Sequence, residues 1–307
     1  VSDPLVVFGA LAVEGVFGYP DRWHARVPHP VVWLGKAIGA LDKAWNRPDK
    51  SERQRKMLGV ATLVIVAGGA GLVGLAINLF LPSILVALVG ALGLAARSLY
   101  DHVAVVLKAL QADDLPSARL AVGKIVGRDT ADLDEAGVAT AALESLAESF
   151  NDGVMAPLFW FLFAGLGGLF LYKAVNTADS MIGHMEPRWR AFGWAAAKTD
   201  DVMNWIPARL TGGLIVLIGM RGFGVMLRDA TRHASPNAGW PESAMAGALG
   251  VQVGGPVRYD GVMTDRPTFG DGRPASAATL AQGLSLYGRC VAVVAALLLF
   301  VGVAWRL

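Results

Sequence analysis

Three acids, Glu144, Glu148 and Asp152, recur every four residues in the stretch AALESLAESFNDGVMAPLFWFLF, residues 141–163. On a helix these positions share one face, and Asn151 falls beside them. Like charges at that spacing repel, and they repel more strongly where water is scarce, unless a cation stands between them. Carboxylate oxygens are hard ligands suited to Mg2+, which usually keeps water and substrate phosphates in its shell. A solvated acidic face is the plain alternative. The apolar run after Asp152 makes that alternative costly.

Other stretches carry groups of the same kind. NTADSMIGH sets Asn176, Asp179 or Ser180, and His184 along a helical face. KTDDVMNWIPARL supplies Asp200, Asp201 and Asn204, then Arg209 just inside an apolar run. Adjacent acids diverge on a helix, so only one of the aspartates faces a given ligand. An arginine at membrane depth needs a partner, for which a carboxylate or a phosphate is the expectation. VGRDT places Arg128 and Thr130 in a turn, where a guanidinium can grip phosphate or carboxylate through two bonds. The segment 235–261 is rich in Gly, Pro and small residues, and its turns can cradle an anion with backbone N–H groups. Asn237, Glu242 and Tyr259 add polar side chains there.

The elements that must position these groups are largely membrane helices. The 307 residues are 54% hydrophobic and only 17% charged, with mean hydropathy +0.48. Soluble domains carry about 25% charged residues. The composition predicts an all-α, polytopic membrane protein, taken as a single membrane-embedded domain. Polar loops at 18–56, 97–154, 173–205 and 221–289 would carry the site. Apolar runs at 57–77, 79–96, 155–172, 206–220 and 290–305 are the candidate crossings. Residues 4–17 read as a short membrane-entering helix rather than a signal peptide, because no basic segment precedes it and Glu14 interrupts it. The basic segment 43–56 abuts the 57–77 run and is expected on the cytoplasmic side. Residues 97–124 read as amphipathic helix, with Leu99, Val103, Val106, Leu107 and Leu110 on one face. Asp132 is the expected cap of a helix over 135–150.

If every apolar run crosses, the acid-bearing loops 97–154 and 173–205 face opposite compartments. The AGLGG at 164–168 divides the 155–172 run, as a re-entrant hairpin requires, and Gly212–Gly213 is a second expected break. GAGLVG at 69–74 lies inside a membrane run with no strand before it, so close helix packing explains it better than nucleotide binding.

Several chemistries are excluded. The net charge of +2 and the absence of a dense basic stripe argue against nucleic acid. One cysteine, Cys290, rules out an intrachain disulfide and a thiolate cluster. No P-loop, zinc motif or G-x-S-x-G elbow occurs, so any nucleotide binds a site of another kind.

Taken together and in order, GYPDRWHARVPHPVVWLGK (18–36), RSLYDHV (97–103), IVGRDTADLDEAGV (125–138), ESLAESFNDGVMAPLFW (144–160), KAVNTADSMIGH (173–184), DDVMNWIPARLT (200–211) and SPNAGWPESAMAGALGVQVGGP (235–256) resemble the CobD/CbiB family of cobalamin biosynthesis, the adenosylcobinamide-phosphate synthases. The family pattern E-S-x-A-E-N-x-x-D is matched except at Ser149, where the pattern has Asn. The resemblance implies ATP- and Mg2+-dependent ligation of adenosylcobyric acid to (R)-1-amino-2-propanol or its O-phosphate, in the inner membrane with a cytoplasmic site. In that setting Glu144, Glu148, Asp152, Asp179 and Asp201 are expected to organise metal. Arg128, Thr130, Asn176, Ser180, Arg209, Asn237 and Tyr259 are expected to hold substrate or phosphate. His184 or an acid would take the ammonium proton. Membrane lipid is an expected partner, and a homo-oligomer or a complex with other corrinoid-pathway enzymes stays open. Two rival readings are a Mg2+-dependent transferase on prenyl or lipid diphosphates and a non-catalytic corrinoid-binding scaffold or transporter.

Overall fold

The computed structural model describes residues 2–19 and 28–307; residues 20–27, part of the motif at 18–36, lie outside the described set. The structure is 72% helical and 4% strand, which makes it an all-α membrane protein. Among the described residues, four helices are long and apolar enough to cross a membrane: Glu52–Phe80, Ser83–Gln111, Glu135–Ile182 and Ala277–Ala304. The pair Trp194–Met203 and Trp205–Gly219, bent by 47°, makes a fifth if it counts as one span. The chain divides into two compact units, interleaved in sequence. One comprises 1–95, 156–204 and 297–307, the other 96–155 and 205–296.

In the first unit, local signals set the helix starts. In α1 (Pro4–Phe17), Asp3 accepts the Leu5 N–H at 2.9 Å, and Pro4 is preset for the first turn. The helix ends at Gly18 with φ 57. In α2 (Pro30–Trp45), His29 caps Val31 at 3.3 Å. Ser51 and Gln54 form a reciprocal capping box for α3 (Glu52–Leu63). A π-helical stretch, Val64–Gly68, joins α3 to α4 (Gly69–Phe80). Pro82 then precedes α5 (Ser83–Ala91).

The glycines of α4 are a packing seam. A Cβ on Gly74 would run into the backbone of Leu166, and one on Gly71 would press on Leu171 at 3.4 Å. Leu166 belongs to the long helix Ala156–Ile182, which is broken at Gly165 (φ 66, ψ −164). That break falls inside the AGLGG segment, as expected. Its loosened Leu166 N–H reaches Asn78 Oδ1 at 3.4 Å. The second expected break is absent. Trp205–Gly219 runs unbroken through Gly212–Gly213. The bend lies upstream, at Asn204, and Gly212 instead gives close approach to the Trp240 carbonyl and Met226, both 3.0 Å from a notional Cβ.

The second unit begins with α6 (Ala96–Gln111), amphipathic as its spacing predicts. Leu99, Val103, Val106 and Leu110 are buried and Leu107 is half-buried. Next comes α7 (Leu115–Val122), capped by Asp114. α8 (Glu135–Phe150) is capped by Asp134, whose carboxylate takes the Gly137 N–H at 2.7 Å. Asp132, the expected cap, instead pairs with Arg258 at 2.8 Å. The segment 235–261 is more regular than its Gly and Pro content suggests. It contains α9 (Gly239–Leu249), ending at Gly250 in the left-handed region. Beyond it β1 (Val253–Gly254) pairs with β4 (Thr268–Phe269), and β2 (Val257–Tyr259) with β3 (Val262–Thr264), both antiparallel. Asp260–Gly261, both at positive φ, close the second hairpin. Much of the expected loop 221–289 is thus helix and hairpin.

The α4 seam makes a direct test. Gly74→Ala forces a methyl against backbone that cannot turn away, and is expected to cost about 1–3 kcal/mol. Gly69→Ala, with nothing within 4 Å of its notional Cβ, should leave stability unchanged or raise it. Thermal unfolding of the two variants in detergent micelles makes the comparison.

Candidate functional site

The second unit gathers most of the predicted site. α8 is buried along nearly its whole middle, so the carboxylate of Glu144 lies inside protein, 3% exposed. Such a charge is tolerated only when paired and hydrogen-bonded. Arg128 donates to Glu144 Oε2, and the Gly254 backbone N–H donates to Oε1. Arg266 stands 3.7 Å from the same Oε2. Gly254 has φ 84, and a Cβ there would collide with the Pro267 carbonyl, so this approach to the carboxylate requires glycine. At this turn one backbone N–H, that of Gly254, meets an anion, and the anion is the protein's own carboxylate.

The bend carrying Arg128 is fixed from several sides. Ser145 Oγ donates to the Ile125 carbonyl at 2.9 Å, and Arg119 Nε to the Leu133 carbonyl at 2.6 Å. Thr130 donates to the Arg119 carbonyl at 3.2 Å, so its hydroxyl shapes the bend. Asp129 accepts the Gly261 N–H at 2.8 Å, tying the bend to the β2–β3 hairpin. A cavity of about 340 Å³ lies here, lined by Arg128, Asp129, Asp132, Gly254 and Arg258 among others. Tyr259 sits on the hairpin, 41% exposed.

One turn beyond Glu144, Glu148 is exposed although Ala147 and Phe150 beside it are buried. The charges of Asp152, Arg266, Glu144 and Arg128 act on it. The helix then widens into a π-helical turn, Asn151–Met155, which interrupts the uniform four-residue spacing. Asn151 donates to Asp152 at 2.7 Å and accepts from Thr211 at 3.0 Å.

Three residues whose spacing gives no sign of chemistry complete the cluster. Glu242 is 1% exposed, and its Oε2 has no hydrogen-bond partner. Arg266 Nη2 lies 3.7 Å from that oxygen, and His233 Nε2 lies 3.8 Å from Oε1. Burial, with the Glu148 and Glu144 carboxylates nearby, raises the Glu242 pKa well above the ordinary range. Burial, then Arg266, lowers that of His233. In sequence Glu242 is only a polar group in a turn-rich segment, and His233 and Arg266 carry no local motif.

Arg209 has its partner, of a kind other than expected. Its guanidinium lies between the rings of Trp205 (4.2 Å) and Trp240 (4.7 Å) and reaches Asn237 Oδ1 at 3.4 Å.

The remaining predicted residues fall in the first unit. Asn176 donates to Asp200 at 3.4 Å, Asn204 donates to Asp200 at 3.0 Å, and Tyr172 donates to Asn204 at 3.0 Å. Of the adjacent acids, Asp200 joins this buried network, whereas Asp201 pairs with Lys198 at 2.9 Å. Ser180 bonds the Asn176 carbonyl and Asp179 is half-buried. His184 lies past the helix end at Ile182, exposed, its ring 5.5 Å from that of Trp189. It therefore does not share the helical face expected for it. Among the described residues, no three Asp, Glu, His or Cys side chains are disposed to hold a metal ion together.

These features define a helical, polytopic membrane protein with a buried ionic cluster in one of its two units. The chain belongs to the CobD/Cbib protein family, whose model matches residues 7–287. Similar relatives each bear the name cobalamin biosynthesis protein CobD. That of Rhodobacter capsulatus is 47% identical over 310 residues, covering 96% of both chains. That of a Sinorhizobium species is 45% identical over 304 residues, covering 93% of this chain and 94% of its own. The Brucella suis protein is 45% identical over 278 residues, covering 86% and 85%. No solved structure matches the chain.

The arm carrying Arg266 is held by a second buried acid. Asp229 is fully buried, bonds Arg228 at 2.7 Å and Arg232 at 3.1 Å, and takes the Gly270 N–H at 2.9 Å. Arg228 above all holds its carboxyl well below the ordinary carboxylate range, with the Gly270 N–H and Arg232 adding to the effect. Its stabilising contribution is therefore complete above the unfolded pKa and lost as pH falls through the folded one. Asp229→Asn is expected to lower Tm by roughly 3–6 °C at neutral pH. In a series of thermal melts the gap from wild type should hold steady from neutral pH down to about pH 5 and begin to narrow only below about pH 4, near the unfolded carboxylate pKa.

Proposed function

We propose that this protein acts in cobalamin biosynthesis as an ATP- and Mg2+-dependent ligase. It would join a propionate carboxylate of adenosylcobyric acid to the amine of (R)-1-amino-2-propanol or its O-phosphate. The observation that carries this reading is the family match over 7–287, in a chain whose matched residues Arg128, Glu144 and Glu148 gather in one cluster.

A carboxylate and an amine do not condense unaided at neutral pH. Transfer of the ATP γ-phosphoryl group to a carboxylate oxygen gives an acyl phosphate and ADP. Attack by the amine then forms the C–N bond, expels inorganic phosphate and releases one proton. Negative charge gathers on the phosphoryl oxygens during both steps, and fixed guanidinium groups are the natural counterweight. Arg128 and Arg266 fill that role. Both are held by carboxylates and so are aligned before substrate arrives.

Mg2+ is commonly bound by one or two carboxylates, with water and phosphate oxygens completing its shell. Glu148, exposed, and Asp152, half-buried and the charge that acts on Glu148 most strongly, fit that donor set. When bound there the ion would neutralise phosphate charge. Glu144, engaged by Arg128 and Gly254, serves to hold the arginine. A cytoplasmic site accords with the need for ATP, and the basic segment 43–56 beside a membrane helix supports that orientation for its own end of the chain.

Purified protein in micelles, given adenosylcobyric acid, ATP, Mg2+ and either amine, should yield a corrinoid heavier by the amine less water, read by mass spectrometry. Folded protein that forms no amide with either amine rejects the ligase reading. Glu148→Gln should lower kcat by about 100-fold or more while leaving the melting curve in place.

A further inference from the structure

Among the described residues of the second unit, Glu242 is the acid whose buried side chain keeps an oxygen without a hydrogen-bond partner; Trp240 Nε1 is likewise unpartnered. Two guanidinium groups, Arg128 and Arg266, face four carboxylates there: Glu144, Glu148, Asp152 and Glu242. Glu144 is saturated by Arg128 and the Gly254 N–H. Asp152 accepts from Asn151. Glu242 is buried and oriented toward this group, yet its Oε2 accepts no hydrogen bond. Its neighbours at 3.7 and 3.8 Å stand beyond the roughly 3.2 Å limit of a good hydrogen bond. Burying a carboxylate with an unmet oxygen is expensive unless a ligand completes it.

We propose that Glu242, flanked by His233 and Arg266, is the seat of a primary ammonium group, the amino end of the amine substrate. A primary ammonium carries one charge and three N–H donors, so it can serve Glu242 and still donate elsewhere. A divalent ion suits the place less well, since Arg266 is 3.7 Å from the open oxygen. The Ser235 N–H lies 2.9 Å from His233 Nδ1, and Arg266 Nη2, which can only donate, lies 3.3 Å from Nε2, so donors face both ring nitrogens. The histidine is thus a neutral wall of the seat. Its ring centroid lies 5.9 Å from that of buried Phe269, which gives the surroundings an apolar side. The identity of the amine rests on the ligase reading, whereas the cation seat rests on the geometry of Glu242.

The full-length protein in micelles is titrated by calorimetry with 1-amino-2-propanol and with the neutral isostere 1,2-propanediol. The amine should bind at least about tenfold more tightly than the diol, and Glu242→Gln should abolish that preference. In the ligation assay, Glu242→Gln should raise KM for the amine about tenfold or more and leave KM for ATP unchanged. Equal binding of amine and diol by the wild type overturns the seat, and so does absence of amine binding. Wild-type amine affinity in Glu242→Gln overturns it equally. The wild-type comparison decides alone if the variant does not fold. Selective amine binding without any amide product would reject the ligase and keep the seat. Amide formation with an unchanged amine KM in the variant would keep the ligase and reject the seat.

Discussion

The arrangement in the second unit depends on one buried charge, the carboxylate of Glu144. A helix that packs on all sides has no room for a solvated acid. The charge is kept because Arg128 arrives from one side and the Gly254 N–H from another. Those partners lie in separate segments, one a bend before the helix and the other a turn after α9. The bend must therefore be braced by Ser145, Arg119 and Thr130, and the turn must be glycine. Local choices that look unrelated in sequence are consequences of keeping one ion pair out of water. Breaking such a pair from one side leaves the other charge stranded, which is strongly destabilising.

The same constraint shapes the helix beyond Glu144. A regular helix would put Glu148 and Asp152 on the Glu144 face. The π-helical turn at Asn151–Met155 alters that register and lets Asn151 bond both Asp152 and Thr211. Glu148 is left as the accessible member. Repulsion among the acids is thus divided: one is neutralised by arginine, one is hydrogen-bonded by an amide, and one faces open space.

The helices and their ends are largely legible in the sequence because they are fixed by neighbours a few residues away. The apolar face of α6 and the break at AGLGG are of this kind. So is the acid series, whose spacing already poses an electrostatic problem. Sequence and structure part where tertiary contact decides between local options. Asp132, the expected cap, is claimed by Arg258, 126 residues away, and Asp134 caps the helix instead. Gly212–Gly213 satisfies a packing contact and leaves the bend to Asn204. His233, Glu242 and Arg266 are out of reach for a further reason. Each is a single titratable residue in a segment full of turns, and only the folding of 221–289 onto α8 gives them a common neighbour.

Glu148 and Glu242 show how far position alone separates two identical side chains. Both neighbour Arg266 and Glu144. Glu148 keeps access to water. Glu242 is sealed among a histidine, an arginine and other acids, so its charged form exists at little cost only when a cation comes in with it. An enzyme that must bring an anionic phosphate chain and a cationic amine to one carboxyl carbon needs sites of opposite preference close together. Guanidinium groups held by Glu144 supply the first, and a carboxyl short of one hydrogen bond supplies the second. Arg266, within 4 Å of both Glu144 and Glu242, is the residue through which occupation of one is felt by the other.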